Sequence, residues 1–209
     1  LVVDLGGDDV YLGGRCDDGT PATLILDLEG DDRYIDRRTG GVAGAIGCVS
    51  AIVDGGGDDL YEAGTLGVAG AFGGGVLLAD LAGDDVYLGD RVTQEAARFG
   101  LALLVDRQGR DFYTAAQFAQ GFAGPEAVAV LHDVSGRDRY LAGGRRPSGY
   151  GTPGVYKGWS QGVACGLRGF APGGLALLLD EAGDDTYRSG NWSQGVGYFF
   201  GLGGLVDRR

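Results

Sequence analysis

Paired aspartates recur along this chain at a fixed spacing from a glycine and a tyrosine. The pattern Asp-x-x-Gly-x-Asp-x-Tyr runs from Asp4 to Tyr11 and begins again at Asp27, Asp54, Asp80, Asp106, Asp133 and Asp180; another copy opens at Asp207. Carboxylates held in pairs can coordinate a hard cation, share a proton, or serve as acid and base. Twenty of the 24 Asp fall inside this pattern, so the acid is localised and does not form a solvated tail. Catalytic residues should interrupt a repeat, and these define one. A structural or cation-binding role is therefore preferred to catalysis.

The steps between leading aspartates are 23, 27, 26, 26, 27, 47 and 27 residues. A nearly fixed period marks stacked units, each burying its apolar face against the next. Each leading Asp follows a short apolar run, such as Leu24-Ile25-Leu26 or Leu103-Leu104-Val105, which reads as a buried strand without clear alternation. A Gly-Asp turn follows, then a strand such as Asp85-Val86-Tyr87. The last dozen residues of each unit are too Gly-rich for a helix and suit a third, irregular strand. The prediction is an all-β fold: a right-handed parallel β-helix of seven to eight coils, about 26 residues each. Residues 1–209 are read as a single solenoid domain, a fragment of a longer array, with an insertion at about 144–162. Thr93–Arg98 and Pro125–Val130 read as helical, which keeps a strand-plus-helix solenoid open. A barrel of hairpins is a further alternative, although transmembrane strands should alternate more regularly than these.

In such a coil stack, equivalent residues lie about 4.8 Å apart. Columns of aspartate at that spacing repel one another and need compensation. Calcium between coils is one solution, with Asp27, Asp32, Asp54, Asp59, Asp80 and Asp85 as candidate ligands. The other is structural: each Asp accepts bonds from turn N–H groups and stays hydrated at an edge. Arg110 and Arg137 replace the Asp that precedes the second aspartate in two copies, so those coils should bind metal worst. The seven tyrosines of the pattern should form one column.

The stretch Asp54-Gly-Gly-Gly57-Asp58-Asp59-Leu60-Tyr61 resembles one unit of the hemolysin-type (RTX) calcium-binding repeat, with Gly57, Asp59 and Tyr61 on that unit's glycine, aspartate and hydrophobic positions. Gly30, Asp32, Tyr34 and Gly83, Asp85, Tyr87 repeat the match. The resemblance implies calcium bound between coils of a secreted bacterial protein. It departs from that family in opening on Asp and in its longer period. More broadly, the chain is similar to Gly/Asp-rich β-solenoid repeats of bacterial surface proteins, which implies an extracellular or envelope location and a structural or adhesive role.

The insertion carries Arg145, Arg146, Tyr150, Tyr156, Lys157 and Trp159. Loops inserted in a solenoid often form its binding face. A glycan or other cell-surface ligand could meet Arg145, Arg146, Tyr150, Tyr156 and Trp159; equally, the aromatics could only cover the coils. The alternative function is therefore a carbohydrate-active enzyme or glycan-binding module acting through this insertion. Trp-Ser-Gln-Gly at 159–162 and 192–195, with Gln94 and Gln120 in related positions, reads as a glutamine ladder at a corner.

No Ser–His–Asp arrangement or phosphate loop is present, and the single histidine, His132, reads as a core-facing structural residue. The net charge of −12 argues against nucleic acid as a partner. Cys16, Cys48 and Cys165 have no metal-ligand spacing and read as buried thiols rather than a disulfide framework. No apolar run is long enough for a transmembrane segment.

Overall fold

The computed structural model describes residues 1–17 and 19–208. Its core is a parallel β-solenoid of about eight turns. One sheet contains eight strands, Val2–Val3, Ala22–Leu26, Val49–Asp54, Gly75–Asp80, Leu101–Asp106, Val128–Asp133, Leu175–Asp180 and Leu202–Asp207, each paired only with the equivalent strand of the next coil. A second sheet stacks seven strands from Val10–Leu12 to Thr186–Arg188. The third has six short strands from Ala45–Ile46 to Gly197–Tyr198, and Arg91–Thr93 pairs with Gln117–Ala119 in a separate two-stranded sheet. The register follows the sequence period: Asp54 pairs with Asp80, Asp80 with Asp106, Asp106 with Asp133, and Asp133 with Asp180 across the longer unit.

The first-sheet strands are not buried on both faces. They alternate: Ala102, Leu104 and Asp106 point inward, while Leu103 and Val105 are half-buried outside. The inward phase includes the leading aspartate, so the residue before it faces out. His132 is therefore on the outer face and not in the core, and it meets Glu181 at 2.9 Å. The tyrosines stack in one column from Tyr11 to Tyr187, with ring centroids 4.6–4.9 Å apart and planes within 10° of parallel. The central five, Tyr34 to Tyr140, are fully buried in one core cluster with Ala102, Ala129 and Ala176 of the first sheet.

Neither segment that reads as helical forms a helix. Thr93–Arg98 turns a corner between two strands, and Pro125–Val130 leads into the first-sheet strand Val128–Asp133. Gln94 and Glu95 have φ of 51° and 59°, and the same left-handed bend recurs at Phe118 and Gln120, Trp159 and Gln161, and Trp192 and Gln194. Side chains rarely adopt this conformation, so neighbouring coils must hold it in place. The glutamine ladder does so. Gln120 Nε2 donates to Gln94 Oε1 and to the carbonyls of Tyr113 and Leu141, and its own Oε1 accepts from Gln161, which in turn accepts from Gln194. Replacing Gln120 with leucine keeps the volume but leaves buried acceptors without donors. The expected cost is more than about 2 kcal/mol, read as a lower denaturant midpoint.

Two of the cysteines are paired. Cys16 and Cys48 form a disulfide with Cα atoms 6.0 Å apart, because the coil stack brings residues 32 apart in sequence side by side. Cys165 is a free, half-buried thiol.

Candidate functional site

The aspartates line the corner where the first sheet turns into the second. The turn approaches the preceding coil so closely that only glycine fits: a Cβ on Gly57 would lie 1.8 Å from the Gly30 carbonyl oxygen, and φ there is +146°. This backbone-to-backbone approach tucks both carboxylates inside. Asp27, Asp32, Asp54, Asp59, Asp80, Asp85, Asp106, Asp111, Asp133, Asp138 and Asp180 are each no more than 2% exposed. The structural alternative to calcium is met in part: the aspartates accept bonds from turn N–H groups, but they are buried and not hydrated at an edge.

Two ladders organise the column. The backbone N–H of each second aspartate donates to Oδ1 of its counterpart in the next coil: Asp32 to Asp59 at 2.6 Å, Asp59 to Asp85 at 2.7 Å, Asp85 to Asp111 at 2.7 Å. The tyrosine hydroxyls donate to the leading aspartate of the following coil, as from Tyr34 to Asp54 at 2.6 Å and from Tyr61 to Asp80 at 2.7 Å, except Tyr187, which donates to Asp180 of its own coil at 2.6 Å. Tyr113 and Tyr140 each bridge two leading aspartates. The remaining oxygens are buried without donors: Oδ1 of Asp27, Asp106, Asp133 and Asp180, and Oδ2 of Asp32, Asp59, Asp85, Asp111 and Asp138. None of these carboxyls has an ion pair with Arg, Lys or His among the described residues.

Burial, with neighbouring carboxylates adding to it, pushes Asp32, Asp54, Asp59, Asp80, Asp85, Asp106, Asp111, Asp133, Asp138 and Asp180 upward. Asp85 rises to about 11, Asp59, Asp111 and Asp138 to about 8, and Asp80 and Asp180 to about 7. The tyrosine bonds oppose the rise at leading aspartates such as Asp80 and Asp133, so in those pairs protons favour the second aspartate, Asp85 and Asp138. The tyrosines themselves are pushed far up and remain donors. Oxygens from Asp32, Asp54 and Asp59, from Asp59, Asp80 and Asp85, from Asp85, Asp106 and Asp111, and from Asp111, Asp133 and Asp138 lie within 4.8 Å of one another in each group. The six candidate aspartates named from sequence fall in this column, and Asp106, Asp111, Asp133 and Asp138 extend it. Arg110 and Arg137 do not enter it: Arg137 lies at the surface, 3.4 Å from Asp184, and the aspartate groups continue through both of their coils.

No protein-family model matches the chain, and neither does any curated protein or solved structure. The reading of this site therefore rests on its chemistry.

The insertion stands against the third sheet and walls two cavities. Tyr150 and Trp159 line one of about 580 Å³, whereas Tyr156 lines another of about 520 Å³ with Gly143, Val155 and Arg188. Arg145 and Arg146 enter neither; they reach Asp90 at 3.9 and 3.4 Å, tying the insertion to the preceding coils. Partly exposed pairs of this kind contribute little stability. The cations at the larger cavity are instead Arg98 and Lys157, beside Phe118, Phe122 and Trp192. Sequence reading passed over Arg98 because it lies in a repeat position and not in the insertion. The available signal was that its counterparts are Phe72 and, one coil on, Gly124.

Proposed function

We propose that this chain is a structural and adhesive solenoid of a secreted or envelope protein, with calcium neutralising its aspartate column. The observation that carries this reading is the row of eleven buried carboxyls with no ion-paired cationic side chain. Burying an ionised carboxylate without a counter-charge is prohibitively costly, so each coil needs a positive charge or a proton. Carboxylate oxygens are the hard donors calcium prefers, and Asp59, Asp80 and Asp85 would hold one ion with help from nearby carbonyls. The resemblance of Gly57, Asp59 and Tyr61 to a calcium-binding turn supports the same choice. The Cys16–Cys48 disulfide supports an oxidising compartment. Among the described residues no helix is long and apolar enough to cross a membrane.

Protons are the competing occupants, and the raised carboxyl values favour them at low pH. Thermal melting at pH 8 separates the two. Calcium binds the folded state only, so millimolar calcium should raise the melting temperature over that in EDTA by several degrees. Coincident curves in calcium and EDTA would leave a proton-neutralised column and remove the calcium reading.

A further inference from the structure

The larger cavity has a character unlike the rest of this acidic chain. The outward position held by Phe72 and Arg98 in successive third-sheet strands becomes Gly124 in the next coil. A Cβ there would lie 2.6 Å from Arg98 Cγ, so the missing side chain is what lets the Arg98 arm lie along the solenoid axis. Its guanidinium rests over the rings of Phe118 and Phe122, at 5.5 and 5.9 Å from their centroids. Arg98 Nε is buried without an acceptor, and the guanidinium forms no ion pair among the described residues. Asn191 Oδ1, on the same lining, is buried without a donor. Trp159 and Trp192 stack 5.3 Å apart on one wall, and Tyr150 of the insertion accepts a hydrogen bond from Trp192 Nε1 at 3.2 Å.

We propose that this cavity binds a small organic carboxylate carried on a ring that presents an apolar face. The carboxylate would be accepted by Arg98 with Lys157 at the rim, and the ring would pack against Phe118 and the tryptophan pair. A guanidinium held on aromatic faces is a geometry suited to a planar carboxylate. The volume lies within the range of small-molecule sites. A chain of net charge −12 repels anions in general, so an unpaired cation in an apolar pocket selects for ligands that also offer surface to bury. An acidic sugar and an aryl acid share this chemistry. The site is separate from the aspartate column and does not depend on its occupant.

Trp159 and Trp192 are the only tryptophans of the chain, and both line this cavity, so intrinsic emission reports on it directly. Emission is titrated with trigalacturonate and with phenylacetate, each against an uncharged counterpart, a neutral trisaccharide and benzyl alcohol. At least one acid should give a saturable change with a dissociation constant below ~1 mM. Its neutral counterpart should bind about tenfold or more weakly, the loss expected for a charged hydrogen-bonded pair. Arg98→Gln should lose the same factor while keeping its circular dichroism and melting temperature. Which acid binds distinguishes sugar from aryl ligands. The proposal is overturned by no saturable change with either acid up to about 10 mM, or by neutral counterparts that bind equally. A folded Arg98→Gln with unchanged affinity overturns it too. The acid-against-neutral comparison needs no variant, so it stands even if Arg98→Gln does not fold.

Discussion

Stripped of divalent cations, the protein should lose stability steeply between pH 5 and pH 9. The aspartates of the column have folded-state values raised well above about 3.9, their value in an unfolded chain. A raised carboxyl means the folded state holds protons that the unfolded state has released. Its contribution is thus fully present below the unfolded value and is lost as pH rises toward the folded one. Each unit of separation counts for about 1.4 kcal/mol, and several carboxyls titrate together, so the summed loss approaches the whole stability of a typical domain. Calcium bound in the column would compete with protons for the same oxygens. The calcium-induced rise in melting temperature should therefore be small at pH 5 and largest near pH 9. Asp85→Asn isolates the effect. An asparagine can still accept from the Asp59 N–H and can donate to Asp80 without a proton from solvent. In EDTA the variant should match the parent at pH 4.5 and exceed it by several kcal/mol at pH 8.5, read from urea midpoints. In calcium it should gain less than the parent. A parent protein equally stable at pH 5 and pH 9 in EDTA would show that the column is not held by protons or cations.

The second large effect is steric. Gly57→Ala places a methyl carbon 1.8 Å from a backbone oxygen of the adjoining coil, at a φ of +146°. Neither the turn nor its neighbour can shift without pulling apart the two aspartate ladders, because Asp59 N–H is bound to Asp85 and Asp32 N–H to Asp59. A destabilisation of more than about 4 kcal/mol is expected, enough to unfold many domains. Gly73→Ala is the control: its φ is +65° but its Cβ would point into open space, so only about 1–2 kcal/mol of backbone strain applies. Equal urea midpoints for the two variants would refute the close approach that defines the corner.

Much of the fold was legible because the chain repeats itself. A constant offset of seven residues from Asp to Tyr can only become a column if each copy is a coil, and the glutamines of Trp-Ser-Gln-Gly follow the same logic. What eluded sequence reading depends on the third dimension. The inward phase of the first sheet is invisible in Leu103-Leu104-Val105, where both faces are apolar. His132 was misplaced for that reason. Cys16 and Cys48 are neighbours only across coils. Thr93–Arg98 has helix-like composition, but the left-handed residues Gln94 and Glu95 bend it around a corner that contacts between coils impose. The cavity at Arg98 exists because Gly124 leaves a gap one coil away, a relation visible only once the register is known. The insertion was marked in the sequence by its length; its arginines lie 3.9 and 3.4 Å from Asp90.

The central claim is that calcium enters the aspartate column, and counting bound calcium tests it most directly. Metal-free protein at pH 8 is dialysed to equilibrium against micromolar to millimolar calcium, and bound metal is measured per chain, in parallel with Asp85→Asn. The aspartate groups share residues, as Asp59 does between two of them, and adjacent doubly charged ions repel, so partial filling is expected. Two or more calcium ions per chain, with fewer on Asp85→Asn, is the predicted result. No bound calcium at millimolar concentration would contradict the account.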